Sequence, residues 1–490
     1  MLQAAVPAKR IRKAKLLSSL PPEWEGKGLL RRIQDKIEVS GRKVVVLDDD
    51  PTGTQTVNKV LVLTEWSVEA LQHALPRDET VFYILTNSRS YPVEQAVAMN
   101  REIAENLATV AQRLDQDFDV VSRSDSTLRG HYPREVQALR SALEDRLGIT
   151  YDGEIIAPFF FEGGRFTAHD IHWVQEGEWL IPAAQTEYAQ DSIFGYQHSN
   201  LRQWVEEKTN GQITADSVVS VTLDLIRAEG PSAVAALLRA VTGGQSVIVN
   251  ALTYRDMEVF VVGLLEAEEE GKRFLFRTGA SFVKVRGGIE DRGLLTSREL
   301  FPQGAPAEVG GLIVVGSYVQ KTTDQLQVAR KLDKLVSIEL SVPSILHSRT
   351  RQIEIENVSS QAEKALLAGR DVIVFTSRRL VTGTSDKENV QIGQQVSDAL
   401  IQVVRELGVQ PRFVVAKGGI TSSDIGTRAL DVTRAMVPGQ ILPGIPVWLL
   451  GEESRFPGVP YVIFPGNVGA LDSLAQVITI LRNNHWEAIC

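Results

Sequence analysis

Short apolar runs recur along the chain, and each breaks abruptly into glycine, hydroxyl and charged residues. In the first half they fall at 43–47, 81–85, 119–121 and 154–157, with later ones at 217–221 and 246–249. Between them, 94–114 and 134–147 place apolar residues at the three- and four-residue spacing of a helix. The second half repeats the alternation. The run 312–315 enters Gly316-Ser317-Tyr318 and a helical pattern through Leu326, Ala329 and Leu332. The run 413–416 enters Lys417-Gly418-Gly419, and 459–464 enters Pro465-Gly466-Asn467-Val468-Gly469 and the periodic stretch 470–481. Apolar strands alternating with helical stretches predict an α/β architecture of two doubly wound, mostly parallel-sheet domains with a ligand cleft between them. The stretch 284–310 is rich in Gly, Pro and charge and marks the boundary. The expected organisation is a basic extension 1–40, a first domain 41–285, a linker 286–310 and a second domain 311–490.

Composition narrows the classes. A length of 490 residues exceeds one ordinary core, and 43% apolar with 23% charged residues is a globular balance. A net charge of −9 argues against a nucleic-acid surface. The one cysteine, Cys490, leaves no intrachain disulfide or cysteine zinc site and fits a reducing, cytoplasmic setting. Lys9, Arg10, Arg12, Lys13 and Lys15 make the start basic without a secretory apolar core, so a mobile or peripheral arm is expected, with organelle targeting the minority alternative. No apolar segment is long enough to span a bilayer.

The chemistry sits where the runs end. The first strand runs into Asp48-Asp49-Asp50-Pro51-Thr52-Gly53, three carboxylates whose mutual repulsion calls for a reason. Another ends in Arg123-Ser124-Asp125-Ser126-Thr127-Leu128-Arg129-Gly130, and a third leads to Gly164-Arg165-Phe166-Thr167. Arg129 and Arg165 suit a carboxylate gripped in bidentate fashion, while Asp125, Ser126 and Thr127 suit hydroxyls. Asp49 or Asp50 could orient or deprotonate an attacking hydroxyl. The picture is a small polyhydroxylated acid. Turn and cap roles are the plainer reading of Asp-Pro-Thr-Gly. The glycine turns after the second-half strands offer bare backbone N–H groups to a nucleotide phosphate, although glycines there could serve helix packing alone. Neither a P-loop nor a Gly-x-Gly-x-x-Gly motif is present. His169 and His172 could ligate a metal from one helix face, but a hydrogen-bonded or surface role is more usual. The run 266–270 reads as a solvated helix end.

At these residues the chain resembles the four-carbon acid sugar kinases. Asp49-Asp50-Pro51-Thr52-Gly53, Ser124-Asp125-Ser126-Thr127-Leu128-Arg129-Gly130, and Gly164-Arg165-Phe166-Thr167 with His172 look like the motifs of that family's sugar-acid-binding domain. Gly316-Ser317, Gly418-Gly419-Ile420-Thr421 and Gly466-Asn467-Val468-Gly469 resemble the places where its second domain contacts ATP. Arg123 stands where many members have Lys, Asp48 where small residues are usual, and Ile420 where many have an acid.

The resemblance implies ATP-dependent phosphorylation of the terminal hydroxyl of a four-carbon acid such as 3-oxo-tetronate, erythronate or threonate, with Mg²⁺ bridging the phosphates through ligands the sequence does not assign. It implies Asp49 and Asp50 as catalytic; Arg123, Asp125, Ser126, Thr127, Arg129, Gly164, Arg165 and His172 at the acid; and Ser317, Gly418, Gly419, Ile420, Thr421, Gly466, Asn467 and Gly469 at ATP. The expected partner is a small sugar acid rather than nucleic acid or membrane. A homodimer, and a dehydrogenase and an aldolase of the same pathway, are entertained as further partners. A non-catalytic sensor on the same scaffold is the alternative function, and a dinucleotide oxidoreductase is disfavoured by the missing glycine fingerprint.

Overall fold

The computed structural model describes residues 9–304, 308–379, 381–383 and 385–482; Cys490 lies outside them. The chain divides into two compact units. One comprises the chain up to Val57 together with Glu65–Asp291, the other Asn58–Thr64 together with the chain from Arg292.

In the first unit seven parallel strands form the sheet, in the order Val219–Val221, Gln245–Val249, Gly153–Ala157, Phe274–Thr278, Phe118–Arg123, Lys43–Asp48, Val81–Leu85. Val44, Val45 and Val46 are all fully buried because helices cover both faces, which is why this strand lacks polar alternation. From Lys43–Asp48 the chain passes to Val81–Leu85 on one side and then to Phe118–Arg123 on the other. The winding therefore reverses at the strand that carries Asp48, and ligands in such sheets bind beyond the carboxyl ends at that reversal. The helix Val93–Leu114 buries Ala96, Ile103, Ala104, Leu107 and Ala111 along one stripe. Arg134–Leu147 ends at Gly148, left-handed at φ 64°. A smaller antiparallel sheet, in the order Ile11–Arg12, Trp179–Pro182, Ile171–Glu176, Arg165–Ala168, belongs to the same unit.

In the second unit the order is Val60–Leu63, Arg434–Leu442, Ile445–Leu450, Pro460–Phe464, Val414–Lys417, Leu312–Val315, Asp371–Thr376, Leu335–Leu340. The first three pairings are antiparallel and the rest parallel. Here the winding reverses at Leu312–Val315, which lies between Val414–Lys417 and Asp371–Thr376. The mixed α/β, mostly parallel architecture agrees with the apolar pattern.

Several local expectations are corrected. The basic start, read as a mobile or peripheral arm, is built into the first unit: Ile11–Arg12 pairs with Trp179–Pro182, and Lys13 Nζ donates to Gln175 Oε1 at 3.0 Å. Residues 29–40 form the helix Leu29–Ser40, which buries Leu29, Ile33 and Ile37 and packs on Tyr254–Glu269. Segment 58–64 falls in the second unit, where Val60–Leu63 pairs with Arg434–Leu442. Within 266–270, the Glu268 side chain is only 5% exposed and accepts from Arg286 Nη2 at 3.0 Å, so that helix end is not simply solvated. Among the described residues no helix is long and apolar enough to cross a membrane.

Candidate functional site

Four carboxylates and two guanidinium groups meet at the reversal point of the first sheet. Asp48 accepts from Arg123 Nη1 at 2.8 Å and from the Asp50 amide at 3.3 Å. Its carboxylate lies flat against Gly53, where an added Cβ would come within 1.8 Å of Oδ2. Asp49 Oδ1 stands 3.4 Å from Arg123 Nη1, and its Oδ2 accepts from the Asp125 amide at 3.2 Å. Asp50 is paired with Arg89 and also accepts from the Thr52 amide at 2.8 Å. Arg89 reaches Asp125 at 3.6 Å as well.

Arg89, Arg123 and Arg129 do not satisfy the four carboxylates equally, and the environments separate. Burial pushes Asp48 up to about 7 against the pull of Arg123. It pushes Asp49 up to about 6, opposed by Arg89 and Arg123. Burial acts upward on Asp50 and Asp125 too. Arg89, Arg123 and the Thr52 bonds outweigh it at Asp50, and Arg89 with Arg129 at Asp125, so both lie below the ordinary carboxylate range. Carboxylates driven apart in this way can divide the work of proton acceptor and fixed charge. By that criterion Asp49 suits the acceptor, while Asp50 is a fixed anion that locks Arg89.

Beside this cluster two guanidinium groups flank one ring. Arg129 lies 5.2 Å and Arg165 5.5 Å from the centroid of Tyr188. Arg129 Nε donates to Asp125 Oδ2 at 2.7 Å. Arg165 donates to Gly163 O and, at 3.3 Å, to the Tyr188 hydroxyl, while its buried Nε has no partner among the described residues. Among the described residues Arg165 forms no ion pair. Half-buried and without an anion among the described residues, this guanidinium is open to one supplied by a ligand. A small carboxylate is the group that would fit there.

The structure brings Asp49, Asp50, Arg123, Asp125, Thr127 and Arg129 into one hydrogen-bonded network. It gives two predicted residues different duties. His172, expected at the acid, is fully buried with both nitrogens engaged, Nδ1 with Thr167 Oγ1 at 3.0 Å and Nε2 with Ser126 O at 2.7 Å. Burial lowers it to about 4, so the ring is a neutral brace that ties the Ser126 loop to the hairpin. Gly164, also expected there, is left-handed at φ 71° and leaves no room for a Cβ, which would stand 2.8 Å from Gln175 Cβ, so its duty is the hairpin turn. His169 and His172 lie on the connection and strand of that hairpin rather than on a helix face, so the metal arrangement is not formed. Ser126 is buried and offers its carbonyl to His172. Arg89, Tyr188 and Arg277 were not singled out from the sequence. Arg277 donates to Arg129 O at 3.2 Å and stacks 4.9 Å from Trp204. Arg89 follows a strand end, the one signal that could have drawn it in.

In the second unit three turns converge beyond strand carboxyl ends. The Ser317 amide donates to Lys417 O at 3.3 Å, and the Gly418 amide to Phe464 O at 2.8 Å. Thr322 Oγ1 donates to Gly466 O at 3.2 Å and lies 3.2 Å from Ser317 Oγ, from which it can accept. Gly418 sits at φ 121°, where a Cβ would stand 3.0 Å from Ser317 Cβ. Gly419 opens the helix Gly419–Asp424, with Ile420 exposed and Thr421 buried. Gln325 Nε2 holds the loop of Asn467 and Gly469 through Val468 O at 3.1 Å and Ala470 O at 2.8 Å. Three cations border these turns: Lys321 donates to Asn467 O at 3.2 Å, Arg378 to Ser317 O at 2.8 Å, and Lys417 to Pro465 O at 2.6 Å. None of the three forms an ion pair among the described residues. With the Ser317 and Gly418 amides spent on carbonyls, it is the cations without ion pairs among the described residues that suit a polyphosphate. They do not suit Mg²⁺, and the described residues contain no group of three or more His, Cys, Asp or Glu arranged for a metal.

Comparison with known proteins fits this division. Residues 44–286 match the family described as sugar-binding N-terminal domain, and residues 312–474 the family described as nucleotide-binding C-terminal domain. The chain belongs to the four-carbon acid sugar kinase family. It is 29% identical over 249 residues to the 3-oxo-isoapionate kinase of Paraburkholderia graminis, an alignment covering 45% of this chain and 52% of that protein. The chain thus spans about half the length of the curated relative it matches. Among solved structures, Haemophilus influenzae protein HI1011 superposes with a TM-score of 0.61 at 20% identity, covering 89% of this chain and 100% of that one. A Salmonella typhimurium LT2 protein solved as a candidate tRNA synthase gives 0.63 at 18% identity, covering 89% and 98%. At such identities the likeness is one of fold.

Proposed function

We propose that this protein is an ATP-dependent kinase that phosphorylates the terminal hydroxyl of a four-carbon sugar acid of the 3-oxo-tetronate, erythronate or threonate type. The observation that carries the reading is Asp49, a buried carboxylate raised to about 6 and placed in one network with Arg129, beside which Arg165 awaits an anion. The kinase activity of the Paraburkholderia graminis relative, whose named substrate is also a 3-oxo acid, supports it.

Arg165 and Arg129 bind the carboxylate of the acid and set its orientation, with Tyr188 as the platform between them. Asp49 accepts the proton of the attacking hydroxyl as its oxygen forms a bond to the γ-phosphorus. The bond from that phosphorus to the β–γ bridging oxygen breaks, and ADP leaves with the electron pair. Asp50 stays ionised and holds Arg89, which keeps Asp125 and Asp49 in register. Lys321 and Arg378, which border the turns at Ser317, Gly418 and Gly466, hold the phosphates. Mg²⁺, when bound by the nucleotide, supplies neutralisation of phosphate charge.

The test is ADP release across a panel of four-carbon acids, each run beside the alditol in which the carboxylate is replaced by a hydroxymethyl group. Turnover with one or more acids and none with their alditols is expected. Equal turnover of acid and alditol would remove the arginine pair from recognition. Binding of both ligands without ADP formation would turn the reading to a sensor.

A further inference from the structure

Lys417 is the last residue of the strand Val414–Lys417 and stands directly before the glycine pair, yet its side chain is fully buried. Its Nζ donates to Pro465 O at 2.6 Å and Gly466 O at 3.2 Å, and lies 3.8 Å from the centroid of the Phe464 ring. The amine thus clamps one phosphate turn from beneath while its backbone carbonyl accepts from Ser317, the start of another. Two carbonyls use two of the three protons of an ammonium, and the third has no acceptor among the described residues.

Among the described residues the charged groups around it supply no counterion. Lys321, on the helix Gln320–Ala329, is a second cation. Arg378, beyond the strand Asp371–Thr376, is spent on Ser317 O and Thr323 Oγ1. Of the carboxylates on the flanking helices, Asp424 is engaged by Ser397 and approached by Arg428, and Asp472 accepts from Gln476. Val414, Val415 and Ala416 on its own strand and residues 465–469 of the loop carry no titratable side chain. We propose that Lys417 is a positioning residue that holds the 465–466 turn, and that its amine takes up a proton when a nucleotide polyphosphate binds, so that nucleotide and proton enter together.

The direction follows from charge. Burial, followed by Lys321, lowers Lys417 to about 7, so near neutral pH the free protein holds a mixture of amine and ammonium. A polyphosphate over the turns favours the charged form and raises the group again. The inference rests on the nucleotide reading of the second unit.

The experiment is titration calorimetry with a non-hydrolysable ATP analogue in magnesium-saturated solution, where the nucleotide itself has no titrating proton at this pH. At pH 7.5 two buffers of different ionisation enthalpy give the net proton uptake, expected at roughly 0.7 per nucleotide bound. Between pH 7.5 and 8.5 the affinity of the unmodified protein is expected to fall roughly eightfold. Lys417→Met should bind more weakly with no such dependence. Lys417→Arg, charged throughout, should keep affinity without the uptake. Binding with no net uptake by the unmodified protein overturns the proposal, whatever the variants do. So does an unchanged pH dependence in Lys417→Met. Absence of any nucleotide binding is a distinct result, which would overturn the nucleotide reading itself.

Discussion

Arg165→Met separates a binding role for this guanidinium from a structural one. Met keeps most of the aliphatic volume and removes the charge. Among the described residues that charge donates to Gly163 O and the Tyr188 hydroxyl and lies over the Tyr188 ring, and Nε has no partner. Losing two such bonds at a half-buried site costs about 1 kcal/mol each at most, and water reaching the site recovers part of it, so stability should fall by no more than about 2 kcal/mol. Toward a sugar acid the loss is larger. A charge-assisted hydrogen bond to a carboxylate contributes about 1.5–3 kcal/mol, hence roughly ten- to a hundredfold in kcat/KM. Steady-state ADP release against acid concentration, with a melting curve on the same sample, reads both. A preserved kcat/KM together with a melting temperature lowered by several degrees would refute the argument, since Arg165 would then be a brace for the hairpin.

Three further outcomes are expected. With Asp49 as proton acceptor, kcat/KM falls as pH drops through about 6, and Asp49→Asn is expected to lose most turnover while still binding ATP; a pH profile flat from 5 to 8 would contradict this. Burial favours the protonated form of Asp49, so the folded chain holds a proton that the unfolded chain, with an ordinary carboxylate near about 4, has released. The stability this group contributes is therefore lost as pH rises from about 4 to about 6, and Asp49→Asn should melt higher than the native protein at pH 7 in a calorimetric scan. Gly418→Ala combines a backbone at φ 121° with a Cβ 3.0 Å from Ser317 Cβ, at a cost of about 1–3 kcal/mol, and should weaken nucleotide binding in calorimetry while leaving acid affinity unchanged. Gly53→Ala would drive Asp48 from its place and leave Arg123 buried without its closest partner, a loss of about 3–5 kcal/mol readable by urea unfolding.

Elements whose partners are near in sequence, or whose runs are purely apolar, were legible. The run 81–85 is the strand Val81–Leu85, and 134–147 is the helix Arg134–Leu147. Phe274–Thr278 was missed because Arg277 interrupts its apolar pattern, and only the stacking on Tyr132 and Trp204 makes that arginine an interior residue. The pairing of Val60–Leu63 with Arg434–Leu442 carries no local signal, since its partner lies in a different half of the chain. At the site, glycines and charged residues at strand ends could be read from sequence, and the structure gathers most of them. Tyr188 could not, because it sits within the short helical turn Glu187–Gln190, which carries no motif, and its relation to Arg129 and Arg165 exists only after folding. Asp48, a departure from the usual small residue, becomes intelligible through Gly53, whose missing side chain makes its space.

The central claim is transfer of a phosphoryl group to a sugar acid, and following that group tests it most directly. ATP carrying heavy oxygen on its γ-phosphoryl, incubated with the protein and a four-carbon acid, should yield a phosphorylated acid whose mass contains all three labelled terminal oxygens. Label recovered only as free phosphate, or ATP left intact in the presence of every acid of the panel, would contradict it.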